Sequence, residues 1–514
     1  MKRTLALILA MLMCLSVMVS CGGGKTDDPA ATTTAAVGGN DTPGDAATTT
    51  TVEETESPYD VNGYLKDSLD PELNYNGEKF TILYWEDVER IEFEVLEQTG
   101  DLIGDALYNR NAMVEDRLNI DFEWIGTPGN YNNQAAFVSQ VTNDVNSGGE
   151  YEVFSGYSMS AATIALAGLS RNLMEVDNID FEKPWWPASL TELTTINDRL
   201  YFCSGDISTN MLHMMYCTLF NKTLAEQLNV GNVYEMVDKG TWTIDKMAEL
   251  ASTAYSDLNG DTIPDVNDQF GLALGSNIHF DAFFTASGLR TVTKDANDTP
   301  VMAEEFSSDK THALLTKIVD IFHNNDYAAF AATVSNWSNK PFAEGRVLFI
   351  VDRNYVTSSA TFADTTVTYG VLPVPKYEEA QENYYTCMAF PFSIYSVSIA
   401  LSDEKANMAG AVLECMASES YRQVTPAVFE TAMKLKYSAG EDDSRMYDLV
   451  RDTIQFDLGR IFTTPLRNIS YSPFRNACNN GNTQWVSIIK AEAKVMQKAL
   501  DTIVTSLDKI AAGQ

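Results

Sequence analysis

An α/β fold on a parallel sheet is what this sequence predicts. Three observations carry it: strand and helix patterns alternate from residue 79 to 157, the connections between them are short, and the body from 59 to 514 is too long for one core. Lys79 to Trp85 (KFTILYW) is a run of strand formers behind the Asn76-Gly77 turn. A helix pattern follows, with Leu102, Ile103, Ala106, Leu107 and Val114 on one face. Ile120, Phe122 and Trp124 then alternate with Asp121 and Glu123 as in a strand. Ala136, Val138, Val141 and Val145 mark a second helix, and Tyr151 to Phe154 reads as a third strand. Open sheets of this kind hold ligands beyond the carboxyl ends of their strands, which points to Trp85-Glu86-Asp87 and Ser155-Gly156-Tyr157. Further helices are predicted around 222–228, 244–255 and 407–416 and from Trp485 to the end, with strands at Val347–Val351 and Tyr369–Val374.

The amino terminus carries a different signal. Lys2 and Arg3 precede an apolar run from Leu5 to Leu15, followed by small and apolar residues up to Ser20-Cys21-Gly22. The run is too short to span a bilayer and reads as a secretory signal over residues 1–20. Met18-Val19-Ser20-Cys21 resembles a bacterial lipobox, which implies acylation of Cys21 and a lipid anchor on the extracytoplasmic face of the cell membrane. Residues 21–58 are Gly, Thr, Ala and Asp with almost no large apolar side chain. Such a stretch is expected to be a disordered tether with a reach of about 35 Å.

Charge and cysteine usage narrow the partners. The formal net charge is −36, with 71 acidic against 35 basic residues, and no basic stripe is present, so nucleic acid is excluded as a partner. Beyond Cys21 the cysteines are 203, 217, 387, 415 and 478, an odd, widely spaced set that predicts buried thiols rather than a disulfide framework.

Several segments resemble the extracellular solute-binding proteins of ATP-driven importers, in the group that carries sugars and oligosaccharides. They are Phe220-Asn221-Lys222-Thr223-Leu224, Gly240-Thr241-Trp242-Thr243-Ile244-Asp245, Phe342-Ala343-Glu344-Gly345-Arg346-Val347-Leu348-Phe349 and Tyr369 to Pro375 (YGVLPVP), in family order. The resemblance implies a two-lobed periplasmic-binding-protein-like fold of type II, with discontinuous lobes over 59–514 and a ligand cleft between them. It also implies a carbohydrate ligand, a permease as partner and a monomeric receptor. Trp242 has its own structural reading, because it precedes Thr243, a helix N-cap, and so occupies a staple position.

Asp257 to Asp268 (DLNGDTIPDVND) fits the twelve-residue calcium loop. Asp257, Asn259, Asp261, Asp265 and Asp268 fall at oxygen-ligand places and Ile263 offers its carbonyl, although Thr262 stands where the loop uses Gly and Asp268 where it uses Glu. A single structural Ca²⁺, remote from the ligand, is the expectation.

No enzyme is expected. The four histidines (213, 279, 312 and 323) make no zinc spacing, Gly156-Tyr-Ser158-Met-Ser160 misses the nucleophile elbow, and no phosphate-binding loop is present. Sugar recognition needs flat apolar faces and fixed hydrogen-bonding groups. The candidates are Trp85, Glu86, Tyr157, Trp186 of the Pro184-Trp185-Trp186-Pro187 quartet, Asp206, Trp337, Arg353 and Asn354. The expected function is a membrane-tethered receptor handing a carbohydrate to a permease. The alternatives are the same fold on a peptide or other small solute, an adhesion or scaffolding module, and a glycan-active enzyme.

Overall fold

Two open sheets organise the molecule, and the chain crosses between them twice. The computed structural model describes residues 57–61, 63–363, 365–436 and 440–513. The predicted leader, Cys21 and the tether up to residue 56 lie outside the described residues, and the residues from Pro58 onward form one unit.

The first sheet contains β1 (Glu78–Trp85), β2 (Ile120–Thr127), β3 (Val153–Tyr157) and a late strand, Ser393–Val397. Its order is late strand, β3, β1, β2, with the first three in parallel and the late strand antiparallel to β3. The alternation within β1 sends Phe80 and Ile82 to one core and Leu83 and Trp85 to another on the opposite face. α1 (Leu102–Leu118) is capped by Asp101, whose carboxylate accepts from the Gly104 amide, and ends at Asn119 in the left-handed region. α2 (Gln134–Asn146) places Phe137 and Val141 against the Trp85 side.

The second sheet has the order β8-β4-β7-β5-β6. Its strands are β4 (Tyr216–Asn221), β5 (Phe270–Leu274), β6 (Ala328–Ala329), β7 (Val347–Arg353) and β8 (Tyr369–Leu372). β5, β6 and β7 are parallel, and β4 runs antiparallel to both β7 and β8. Each sheet is therefore a parallel βαβ unit with one antiparallel strand supplied from beyond a crossover. Thr243 caps the helix Ile244–Ser252, and Trp242 is fully buried with its indole N–H on the Pro373 carbonyl at 2.9 Å, the structural role its position predicted.

Two strand ends differ from the sequence expectation. The third strand runs to Tyr157 instead of stopping at Phe154, because Ser393 pairs with Tyr157 and extends the ladder. β7 continues through Arg353, held by Tyr216 opposite it, so Arg353 closes the strand and Asn354 opens the turn after it. The antiparallel late strand itself, now β9 (Ser393–Val397), was not predicted.

The five cysteines are buried free thiols. No helix among the described residues is long and apolar enough to cross a membrane.

The Trp185-Trp186 quartet is a packed corner, not a sugar platform. Both indoles donate to the Glu414 carboxylate, at 3.2 and 2.8 Å, and both are buried. Glu414 sits on the helix Asp403–Glu419, and burial pushes its carboxyl up to about 7, despite the two indoles and the Asp180 amide. Burial likewise lifts Asp206 to about 6. For both groups the folded value exceeds the unfolded one, so their destabilising contribution is fully present at high pH. It is relieved as pH falls through 7 and 6. Asp67 and Asp281 are held below the ordinary carboxylate value and lose their contribution only under more acid conditions. Lowering the pH from 7.5 to 5.5 should therefore favour the wild type over Glu414→Gln by about 2 kcal/mol, while His213 and His279, whose charged forms burial disfavours, pull the total the other way. Thermal denaturation of both proteins across that range checks it.

Candidate functional site

The carboxyl end of β1 on one lobe approaches that of β7 on the other. The segment after β1, Glu86 to Glu92, reaches across. Arg90 donates from Nη2 to the Ser358 carbonyl at 2.9 Å and to its hydroxyl at 2.5 Å, and its guanidinium lies 5.1 Å from the Tyr355 ring centre. Arg353, at the end of β7, lies 5.7 Å from the same ring. Two guanidiniums from different lobes thus meet over one aromatic ring.

Three polar atoms in this region are buried and have no hydrogen-bond partner among the described residues: Glu89 Oε2, Arg90 Nε and Arg353 Nε. Burial raises the Glu89 carboxyl above its ordinary value against the pull of Arg353. Buried polar groups are normally satisfied. Three unsatisfied atoms, two on the segment after β1 and one at the end of β7, mark a region suited to a hydrogen-bonding ligand.

Aromatic side chains complete the cleft. Tyr157 packs edge-on against Trp85, with ring centres 5.2 Å apart. Phe390 and Tyr471 lie 5.1 Å apart, with Arg460 over Phe390 and Arg475 over Tyr471, both at 4.1 Å. Those two arginines clamp Asp281; burial alone would raise its carboxyl, and the two positive charges hold it low instead. His279 Nε2 lies 3.2 Å from the Asp352 carboxylate, and burial lowers the pKa of His279, as it does that of His213.

Behind this cleft the lobes are joined through one carboxylate. Glu92 is buried and accepts from the Asn210 amide at 2.8 Å, from the Ser208 hydroxyl at 3.0 Å and from the Ser393 hydroxyl. Ser393 in turn takes the Trp85 indole N–H at 2.7 Å, and Ser204 donates to the Ser393 carbonyl at 2.6 Å. Met215 bridges Met388, and Cys203 bridges Tyr395, so both crossing strands run through this bracket.

The sequence candidates divide sharply. Arg353 stands with Glu89, Arg90 and Tyr355, Glu86 is exposed beside them with its carboxylate over Gly126, and Tyr157 is buried against Trp85. Trp85 is buried and spends its indole on Ser393, so only its edge contact with Tyr157 reaches the site. Trp337 is core as well, donating to the Leu274 carbonyl at 2.8 Å and packing on Phe270. Asn354 is buried and accepts from the Tyr447 hydroxyl, a structural tie beneath the strand end. Asp206 takes the Thr425 hydroxyl at 3.1 Å and lines a different cavity. Glu89, Arg90 and Tyr355 were readable from the rule that found their neighbours, since each lies within five residues of a strand end. Phe390, Arg460 and Tyr471 arrive from distant chain and carry no local signal.

In the 257–268 loop the side chains turn onto the loop's own backbone. Asp257 accepts from the Gly260 and Thr262 amides at 2.6 and 2.8 Å, Asp261 from Ile263, Asp265 from Asn267, and Asp268 from Leu258 and Asp265. Among the described residues, no three His, Cys, Asp or Glu side chains converge closely enough to hold a metal. The backbone does take the shape a calcium loop needs at its sixth place, where Thr262 has φ of 64°. A β-branched residue is strained there. Thr262→Gly should stabilise the protein by about 1 kcal/mol in urea denaturation.

No protein-family model and no curated protein matches the sequence. Solved structures do match its fold. A cyclo/maltodextrin-binding protein complexed with maltotetraose aligns at TM-score 0.53 and 12% identity over 84% of this chain and 97% of its own. The GacH receptor of Streptomyces glaucescens, solved unliganded and with acarbose, aligns at 0.51 and 14% identity over 83% and 98%. A cyclic α-maltosyl-1,6-maltose binding protein from Arthrobacter globiformis aligns at 0.51 and 13% identity over 85% and 100%. This is a type II periplasmic-binding-protein fold. The matches take in nearly the whole of each solved structure and most of this chain, as a two-lobed fold of this type requires.

Proposed function

We propose that this protein is a receptor that captures a carbohydrate between its lobes and delivers it to the permease of an ATP-driven importer. It does no chemistry on its ligand, and it works on the extracytoplasmic face of the membrane, held there through lipidated Cys21. The observation that carries the reading is the set of unsatisfied groups on Glu89, Arg90 and Arg353, placed near the partly exposed rings of Tyr355 and Phe390 where two lobes meet. Flat rings for the C–H faces of a pyranose and fixed donors and acceptors for its hydroxyls are what sugar recognition requires. The structural relatives that bind maltodextrins and acarbose support the same ligand class.

A thermal-shift screen against oligosaccharides, amino acids and peptides tests it, because a ligand bound only by the folded state raises the melting point. A shift with one sugar class is expected. A shift with peptides alone would keep the fold and replace the ligand class.

The 257–268 loop is proposed as a structural calcium site, a reading supported by the spacing of its oxygen ligands and the turn at Thr262. Millimolar calcium should raise the melting point and Asp257→Ala should abolish the rise; an unchanged melting point would make the loop a self-capped turn.

A further inference from the structure

A second groove lies between the lobes, away from the cleft. Ser189, Glu192 and Leu193 of the first lobe form one wall; Arg290, Asn383, Tyr385 and the 452–456 segment form the other. Its volume is about 610 Å³, within the range of small-molecule sites. A chamber of about 200 Å³ continues it past Ser189 and Phe456 to Asp206 and Ser208. It shares no lining residue with the cleft. The 454–455 strand in its wall pairs with Thr386–Cys387, and the next crossing residue, Met388, pairs with Met215, so the groove borders the crossing strands directly.

Its chemistry repeats that of the cleft. Tyr385 and Phe456 offer rings, Asn383 and Gln455 offer amides, and Arg290 and Asp452 offer charge. Arg290 is exposed and makes no ion pair among the described residues. Gln455 Oε1 is buried without a hydrogen-bond partner among them. Gly288, at φ of +70°, lets the Tyr385 ring lie close over the backbone, where a Cβ would stand 3.2 Å from it.

We propose that this groove is a second carbohydrate site, and that a sugar bound there favours the lobe arrangement in which both of its walls are in place. The inference rests on the carbohydrate-receptor reading above. Its coupling half follows from geometry. Lys294, on the second lobe, donates to the Glu192 and Thr195 carbonyls at 2.9 and 2.7 Å, and Asp298 accepts from the Asn197 amide at 2.7 Å. These ties coexist with the Arg90–Ser358 contact across the cleft. A ligand that touches both walls binds this lobe arrangement better than any with the walls moved apart, and so shifts the population towards it. The coupling is reciprocal, so filling either site strengthens the other.

Native mass spectrometry and calorimetry of the full-length protein with maltotetraose, cellotetraose, xylotetraose and mannotetraose test it. The wild type should bind two equivalents of one of these sugars. Gln455→Leu and Tyr385→Ala should each bind one, with the remaining site weakened about 3- to 10-fold, and Arg353→Ala should keep the groove equivalent. Gln455→Leu removes an unsatisfied acceptor at nearly constant volume, so loss of folding would not account for a lost equivalent. One equivalent in the wild type, or two that the groove variants leave unchanged, would overturn the inference and leave the receptor reading standing. Binding of none of the four sugars would overturn both.

Discussion

Glu92→Ala is expected to destabilise the protein by about 3–5 kcal/mol, measured as a lower denaturant midpoint at unchanged slope. The carboxylate takes hydrogen bonds from the Asn210 amide and from the Ser208 and Ser393 hydroxyls, and all three donors are buried. Truncation leaves three donors unmatched and opens a void beside Trp85, whose indole leans on Ser393. Burial lifts the Glu92 carboxyl above its ordinary value, so its charge is itself costly to hold. Glu92→Gln should therefore cost no more than about 1 kcal/mol. Its amide oxygen still accepts from Asn210 and Ser208, and the Ser393 hydroxyl can reverse its role to accept from the NH₂. Equal damage from Ala and Gln would mean that the charge, and not the hydrogen-bonding bracket, holds the crossing strands.

Arg353→Ala should weaken sugar binding by at least about 100-fold, near 3 kcal/mol, while leaving the melting point of the unliganded protein within about 2 °C. The guanidinium makes no salt bridge among the described residues, contacts the Met214 sulfur at 3.6 Å and the Tyr355 ring, and keeps Nε unpaired, so little of the fold depends on it. Charged hydrogen bonds to a ligand are the strong ones, and a bound sugar hydroxyl left facing no partner costs further. Trp337→Phe should do the reverse. It strips the donor from the Leu274 carbonyl and loosens the contact with Phe270, lowering stability without touching the cleft. Calorimetric affinity and thermal denaturation, measured on both variants, separate the two roles.

The contrast between Arg353 and Trp337 also shows what the sequence could convey. Strand ends were legible because period-two alternation in β1 and the apolar run in β7 stop where the chain leaves the sheet, and ligands sit just beyond such ends. Arg353 was singled out that way, and it does stand at a strand end beside Tyr355 and Arg90. Tryptophan misled, because its size makes it both a good sugar platform and a good core filler, and composition cannot tell the two apart. Trp186 was decided by Glu414, a buried carboxylate 228 residues away that needed donors. Phe390, Arg460 and Tyr471 reach the cleft only because the chain returns to the first lobe at β9 and then packs its last segments across both lobes. No local pattern encodes that return. The two-lobed architecture was legible from ordered family-like segments, whereas the bracket at Glu92 depended on contacts spanning 116 and 301 residues.

The measurement that tests the central claim most directly is the distance between the lobes with and without sugar. Spin labels at Asp121→Cys on the first lobe and Thr253→Cys on the second sit on exposed positions, and the five native thiols of the body are buried away from reagent. Double electron–electron resonance on residues 59–514 should show a distance distribution that shortens and narrows when the sugar selected by the screen is added, because closure around the ligand is the motion this fold uses. A sugar that binds, depends on Arg353, and leaves that distribution unchanged would contradict the receptor account.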